Sequence, residues 1–164
     1  MKRWTWMLAA LSLVLLLVLA ASCGEKSGPE KADTFSFGKH TFAVNVEVTE
    51  TILASLGEQT KAPEEAPNCA FDGKGKLYTF SGFEVETYAK DGKNYFYGIY
   101  LLDDSLSTDK AGITIGSTKD DVTAAYGKPS DEKEGSLTYK KDGFSLVFFL
   151  RDGRVTRIHY LFDV

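Results

Sequence analysis

Along several stretches of the chain, apolar side chains alternate with polar ones. Phe35, Phe37, Phe42, Val44 and Val46 do so near the start, Phe83, Val85 and Thr87 alternate with Glu84, Glu86 and Tyr88, and Phe144, Leu146, Phe148 and Leu150 alternate with Ser145, Val147 and Phe149. A period of two is that of a strand with one face in a core. Gly38-Lys39 makes a two-residue turn between the first runs, and the Asp-Gly pairs at 91–92, 142–143 and 152–153 read as tight hairpin turns. In two places the period lengthens. Ile52, Leu53 and Leu56 follow Thr49, and Val122, Ala125 and Tyr126 follow Ser117, each set forming one stripe of a helix. Thr49 and Ser117 suit the first turns, with Asp120 as the capping-box partner of Ser117; Gly57 and Gly127 suit the ends, and Pro129 blocks continuation. Helices this short are unstable alone and must lie on a sheet.

The order helix, hairpin, strand occurs twice. Gly82-Phe83 to Asp91-Gly92 and Gly143-Phe144 to Asp152-Gly153 have the same separation, and a recurring unit outranks any local assignment. The expected fold is therefore α+β: two tandem repeats, each a short helical segment packed on an antiparallel β-sheet. Repeat one spans residues 34–107 and repeat two 108–164, together forming one globular domain. Glu58 to Lys76, with Pro63 and Pro67, reads as an insertion, Leu102 to Ala111 as the link between repeats, and Ile113 to Ile115 as a short strand.

Before residue 34 the pattern differs in kind. Lys2 and Arg3 precede an apolar run from Met7 to Ala21, and Ala20-Ala21-Ser22 leads into Cys23. This is the form of a lipoprotein export signal, with residues 1–22 removed and the Cys23 thiol accepting diacylglycerol. The competing reading is an uncleaved anchor through Trp4 to Ala21, nearly long enough to span a bilayer. The polar Gly24-Glu25-Lys26-Ser27-Gly28-Pro29 that follows Cys23 favours cleavage, with 23–33 as a tether. The expected location is the extracytoplasmic side of a cell membrane, held there by lipid.

Charge narrows the partners. The chain carries 19 Lys and Arg against 23 Asp and Glu, and loss of the leader removes two of the basic residues. A mildly acidic domain does not suit nucleic acid, whose phosphates need clustered Lys and Arg. With Cys23 lipidated, Cys69 has no disulfide partner and reads as a buried structural thiol.

Candidates for chemistry are few. His40 and His159 with Cys69 supply a base and a nucleophile, but nothing in the sequence brings a third, orienting group to them. Asp103-Asp104, Ser105, Ser107 and Asp109 offer oxygen ligands without the ordered spacing of a calcium loop, and read as a solvated linker. Neither a phosphate-cradling glycine loop nor a Cys/His metal cluster is present, so no cofactor and no metal site is expected.

What stands out is the aromatic excess of the strands. Tyr95-Phe96-Tyr97-Gly98-Ile99-Tyr100 is aromatic on both parities. With Ile99 and Ile158 as core positions, the outward set is Glu84, Glu86, Tyr88, Phe96, Tyr100, Val147, Phe149, Arg157 and His159, a composition suited to an interface. Against that stands a second reading, in which the segment Glu58–Lys76, with Cys69 and Phe71, covers this face.

Gly112-Ile-Thr-Ile-Gly-Ser-Thr-Lys-Asp-Asp-Val122, Tyr126-Gly-Lys-Pro129, Gly143-Phe144 and Asp152-Gly-Arg-Val-Thr-Arg-Ile158 together resemble a repeat of the β-lactamase inhibitor protein type. A similar module occurs in the small outer-membrane lipoprotein of the barrel assembly machinery. The resemblance covers repeat two well and repeat one loosely, and it implies a helical segment on one sheet face with the opposite face free to bind proteins. The inhibitor's paired cysteines are missing and no inhibitory loop can be matched, so inhibition is not implied. The expected function is a lipid-anchored, non-enzymatic module of the cell envelope that recognises a protein or peptide through its aromatic sheet face. An envelope assembly or structural accessory is the alternative, and a cryptic hydrolase the third.

Overall fold

Thr34–Phe37 (β1) and His40–Ala43 (β2) pair as a hairpin, and Glu50–Ser55 (α1) follows. Four strands come next: Glu64–Pro67 (β3), Lys74–Phe80 (β4), Phe83–Lys90 (β5) and Lys93–Leu101 (β6). After Lys119–Tyr126 (α2) come four more: Asp131–Lys133 (β7), Ser136–Lys141 (β8), Phe144–Arg151 (β9) and Arg154–Phe162 (β10). The computed structural model describes residues 34–67, 74–110 and 112–163. Each group of four strands is an antiparallel meander, and the two join through their last strands. The sheet order is β3-β4-β5-β6-β10-β9-β8-β7.

This corrects the expected α+β class. The protein is mostly β, built on one eight-stranded antiparallel sheet, with two helices of 6 and 8 residues as minor elements. The physical reason lies in the seam. Ile158 pairs with Leu101, His159 with Tyr100 and Tyr160 with Ile99, so the innermost strands satisfy each other's backbone groups and the two meanders become one sheet. Neither helix organises a layer of its own.

The centre of the buried face is covered instead by the β1–β2 hairpin. Phe35 and Phe37 are 2% and 0% exposed. The Phe35 ring lies 4.7 Å from Phe162, 5.5 Å from Phe96 and 6.0 Å from Phe144, and the Phe37 ring lies 5.3 Å from Phe83. Tyr160 Oη donates to the Ser36 carbonyl at 2.7 Å, and Gly38 N donates to the Ser107 carbonyl at 2.6 Å. Leu53 and Leu56 come in from the α1 segment and Val122 from α2, all three buried.

The helix caps follow the expected chemistry with one shift. Thr49 Oγ1 accepts from Ile52 N, as its position suggests. In α2 the capping box belongs to Thr118 and Asp121, not to Ser117 and Asp120: Thr118 Oγ1 accepts from Asp121 N at 3.1 Å and Asp121 Oδ2 accepts from Thr118 N at 2.9 Å. Ser117 is still tied to the sheet, because Val155 N donates to its carbonyl at 2.8 Å, and the helix can begin only one residue later. Ile113 is buried but lies in a turn, not the expected strand.

Turns and edges show why the sheet stops where it does. Asp91 and Gly92, and likewise Asp152 and Gly153, all have positive φ, the two-residue turn whose twist matches antiparallel strands. The edge strand β3 carries Glu64, Glu65 and Pro67, and the edge strand β7 is Asp-Glu-Lys. Short, charged or proline-bearing edges resist pairing with another sheet.

Candidate functional site

On the face turned away from the hairpin and helices, alternation and register bring one row of side chains together. Glu84 is opposite Tyr100, Tyr100 opposite His159, and His159 opposite Val147; in the next row Arg157 is opposite Phe149. The His159 ring sits between two others, edge-on to Tyr100 at 4.7 Å and tilted against Phe149 at 4.8 Å. All three rings are partly exposed, Val147 is largely buried beneath them, and Arg157 reaches solvent. Tyr100 leans along its strand. Its Oη donates to Glu86 Oε2 at 2.6 Å, and a Cβ on Gly98 would collide with the Tyr100 hydroxyl, so the ring occupies space that only glycine leaves open. Thr79 Oγ1 donates to Glu84 Oε1 at 3.3 Å.

These contacts set the charge state of the row. Burial and the Glu86 carboxylate push the Tyr100 hydroxyl well above its ordinary range. Desolvation, helped by the Arg157 guanidinium, pushes the His159 imidazole down to about 4, which makes it neutral near pH 7. The Tyr100, His159 and Phe149 rings are therefore uncharged, with carboxylates on the adjoining strand β5 and Arg157 one row along from His159.

One of the expected residues lies on the other face and another is covered. Gly98 is opposite Glu86, but Phe96, not Tyr97, is opposite Thr87, so Tyr97 is an extra residue and parity flips beyond it. Phe96 consequently turns into the core, 4% exposed, with its ring 5.5 Å from Phe35 and 5.7 Å from Phe42. Tyr88, on the regular strand β5, keeps the parity of Glu84 and Glu86 but is buried, with its ring 5.7 Å from Tyr95. Gly98 inside an aromatic strand was the available signal, since an isolated strand glycine marks a bulge or a close approach. Leu102, the first residue of the expected link between repeats, also belongs to this face. Leu102 N donates to the Gly82 carbonyl, which extends the ladder by one residue, and the side chain is 51% exposed on the parity of Tyr100.

The other candidates do not assemble. His40 lies on β2 with its ring 5.4 Å from Phe37 and 6.3 Å from Phe83, on the core side of the sheet, while His159 is on the far side. Cys69, Phe71 and Cys23 lie outside the described residues. Of the segment Glu58–Lys76, the described part runs in the sheet as edge strand β3 beside β4, with Thr60 N bonded to the Thr79 carbonyl. Asp103 Oδ1 accepts from Ser105 N at 2.9 Å and from the Ser105 hydroxyl, which holds its carboxyl below the usual range and closes the acidic turn on itself. Among the described residues no three His, Cys, Asp or Glu side chains group as metal ligands, and no helix is long and apolar enough to cross a membrane. A cavity of about 600 Å³ between α2 and β7 is lined by Lys119 and Glu132, ion-paired at 2.6 Å, together with Lys133, Asp152, Leu137 and Leu150.

In comparisons with protein families, curated proteins and solved structures, no match to the chain was found.

Proposed function

We propose that the protein is a lipid-anchored, non-enzymatic binding module of the cell envelope that recognises a protein or peptide through the outer face of its sheet. The observation that carries this reading is the partly exposed cluster of Tyr100, His159 and Phe149 rings, with Glu84 and Glu86 on the neighbouring strand β5 and Arg157 opposite Phe149. Aromatic side chains at the centre with charge at the rim are the composition of an interface, and contiguous apolar surface of this kind on a soluble domain calls for a partner. The charged edges direct that partner to the face and away from strand pairing. Anchoring rests on the apolar run before Cys23, and two acyl chains on one cysteine suffice for stable membrane attachment.

Two experiments test the two halves of the reading. Cys23→Ser should abolish incorporation of labelled fatty acid; a mutant that still takes up label overturns the anchor. For the face, a photo-crosslinking amino acid in place of Phe149 should give adducts in intact envelopes, while the same group in place of Ala124, exposed on the helix side, should give none. Equal adducts from both positions, or none from position 149, overturn the sheet-face reading.

A further inference from the structure

The face is electrically polarised about its central seam. Strand parity and register put Glu64, Glu84 and Glu86 outward on the β3–β5 half, with Lys90 at the far end of β5, and Lys140, Arg151 and Arg157 outward on the β8–β10 half, with Asp163 just past the end of β10. At the outer rims the pattern is neutralised: Lys133 bridges Asp131 at 3.3 Å, and Lys93, at the tip of the β5–β6 hairpin, bridges Glu47 at 3.1 Å. A surface that is acidic on one side of a line and basic on the other is complementary to itself. The only further requirement is a two-fold axis lying in the plane of contact, parallel to that line.

We propose that this face closes on a second copy of the chain in a two-fold, sheet-on-sheet dimer whose axis runs along the β6–β10 seam. This names the partner of the face and rests on the reading of that face as an interface. Residues that pair across the seam exchange places between copies. Tyr100 of one copy then meets His159 of the other, and Leu161 meets Gly98, its cross-seam partner. Glu86 falls over Ser145 beside Lys140, Glu84 falls over Val147, and Arg157 falls over Leu102, on the diagonal from Glu84. Rotation about an axis parallel to the strands keeps the two sheets aligned, the arrangement in which twisted sheets pack at about 30°. With strands about 4.8 Å apart and eight residues long, the six inner strands present roughly 700 Å² per copy, close to the roughly 800 Å² of a standard stable interface. A single patch used twice in this way makes a closed assembly, and the blunted edges keep it closed.

The test uses the full chain in membranes of the cells that make it. A benzophenone amino acid in place of Leu161 should yield an adduct of twice the chain mass, with the crosslink mapping to the strand around Gly98 of another copy. Glu84→Arg and Arg157→Glu should each lower the yield of that adduct at least five-fold, and the two together should restore it, because the double exchange again places opposite charges at positions 84 and 157 of facing copies. Melting temperatures of the variants within a few degrees of the parent show that folding is not the cause. A double variant as weak as the singles overturns the dimer. An adduct of any other mass also overturns the second copy and leaves the sheet face as an interface for a different protein. No adduct from either position 161 or 149 overturns both.

Discussion

Phe35→Ala is expected to lower the unfolding free energy by about 3–5 kcal/mol, the range for truncating a fully enclosed phenylalanine. The ring is 2% exposed and contacts rings from three separate parts of the fold: Phe42 in the hairpin, Phe96 in β6, and Phe144, Tyr160 and Phe162 in the β9–β10 pair. It also carries a structural load beyond its own area. A two-stranded hairpin is marginal in water, so β1–β2 stays docked on the sheet through Phe35, Phe37 and the Tyr160 hydroxyl bond to Ser36. Loss of the ring leaves a cavity at the centre of the layer that the hairpin lays over the middle of the sheet. Urea unfolding of parent and variant measures the difference. Phe149→Ala, on the outer face and partly exposed, should cost about 1 kcal/mol or less. Equal losses at both positions contradict the assignment of the hairpin side as core.

Acid should destabilise the protein before its carboxylates titrate. The His159 imidazole is held down to about 4 from an ordinary value of 6.5, chiefly by burial and secondarily by Arg157. The unfolded chain thus binds a proton in a range where the folded chain does not. Stability from this group is complete above pH 6.5, declines as pH falls toward 4, and is gone below that. Allowing for the partial exposure of the ring, the loss across that window is between about 1 and 3 kcal/mol. His40, lowered by burial and by Lys39, adds to it in the same direction. Asp121 and Asp103, whose carboxyls are held below their ordinary range by hydrogen bonds, contribute stability that is lost only at still lower pH. His159→Gln should flatten most of the fall between pH 6.5 and 4 in thermal melts taken at each pH. An unchanged pH profile in the variant contradicts the neutral, partly buried imidazole.

The resemblance to the β-lactamase inhibitor type of repeat led to a helix-and-sheet unit as the building block, and the molecule departs from that. Its sheet is continuous through β6 and β10, and a hairpin that precedes both meanders covers its middle. The local motifs behind the resemblance, a capped helix start, a glycine stop and Asp-Gly turns, are short-range devices. They describe how each segment folds on itself and carry no information on which strand edges meet.

Strand positions, hairpin turns and helix caps were written in local chemistry. Period-two alternation in Phe83–Lys90 and Phe144–Arg151, positive-φ turns at Asp91-Gly92 and Asp152-Gly153, and a threonine cap before α1 depend on neighbours a few residues away, and the sequence determined them. So too for Glu84, Glu86, Tyr100, Val147, Phe149, Arg157 and His159, whose common face follows from parity within unbroken strands. Only the tertiary structure decided the rest. Phe96 faces the core because β6 carries an extra residue against β5, and one residue reverses every side chain beyond it. Helix α2 starts at Thr118 instead of Ser117 because β10, far along the chain, holds the Ser117 carbonyl. His40 and His159 are separated by the sheet itself, and Leu102 becomes the most exposed large apolar side chain among the described residues because the ladder runs one residue past its strand. Each of these depends on pairing between segments distant in sequence, and register between such segments is chosen by the packing of the whole core.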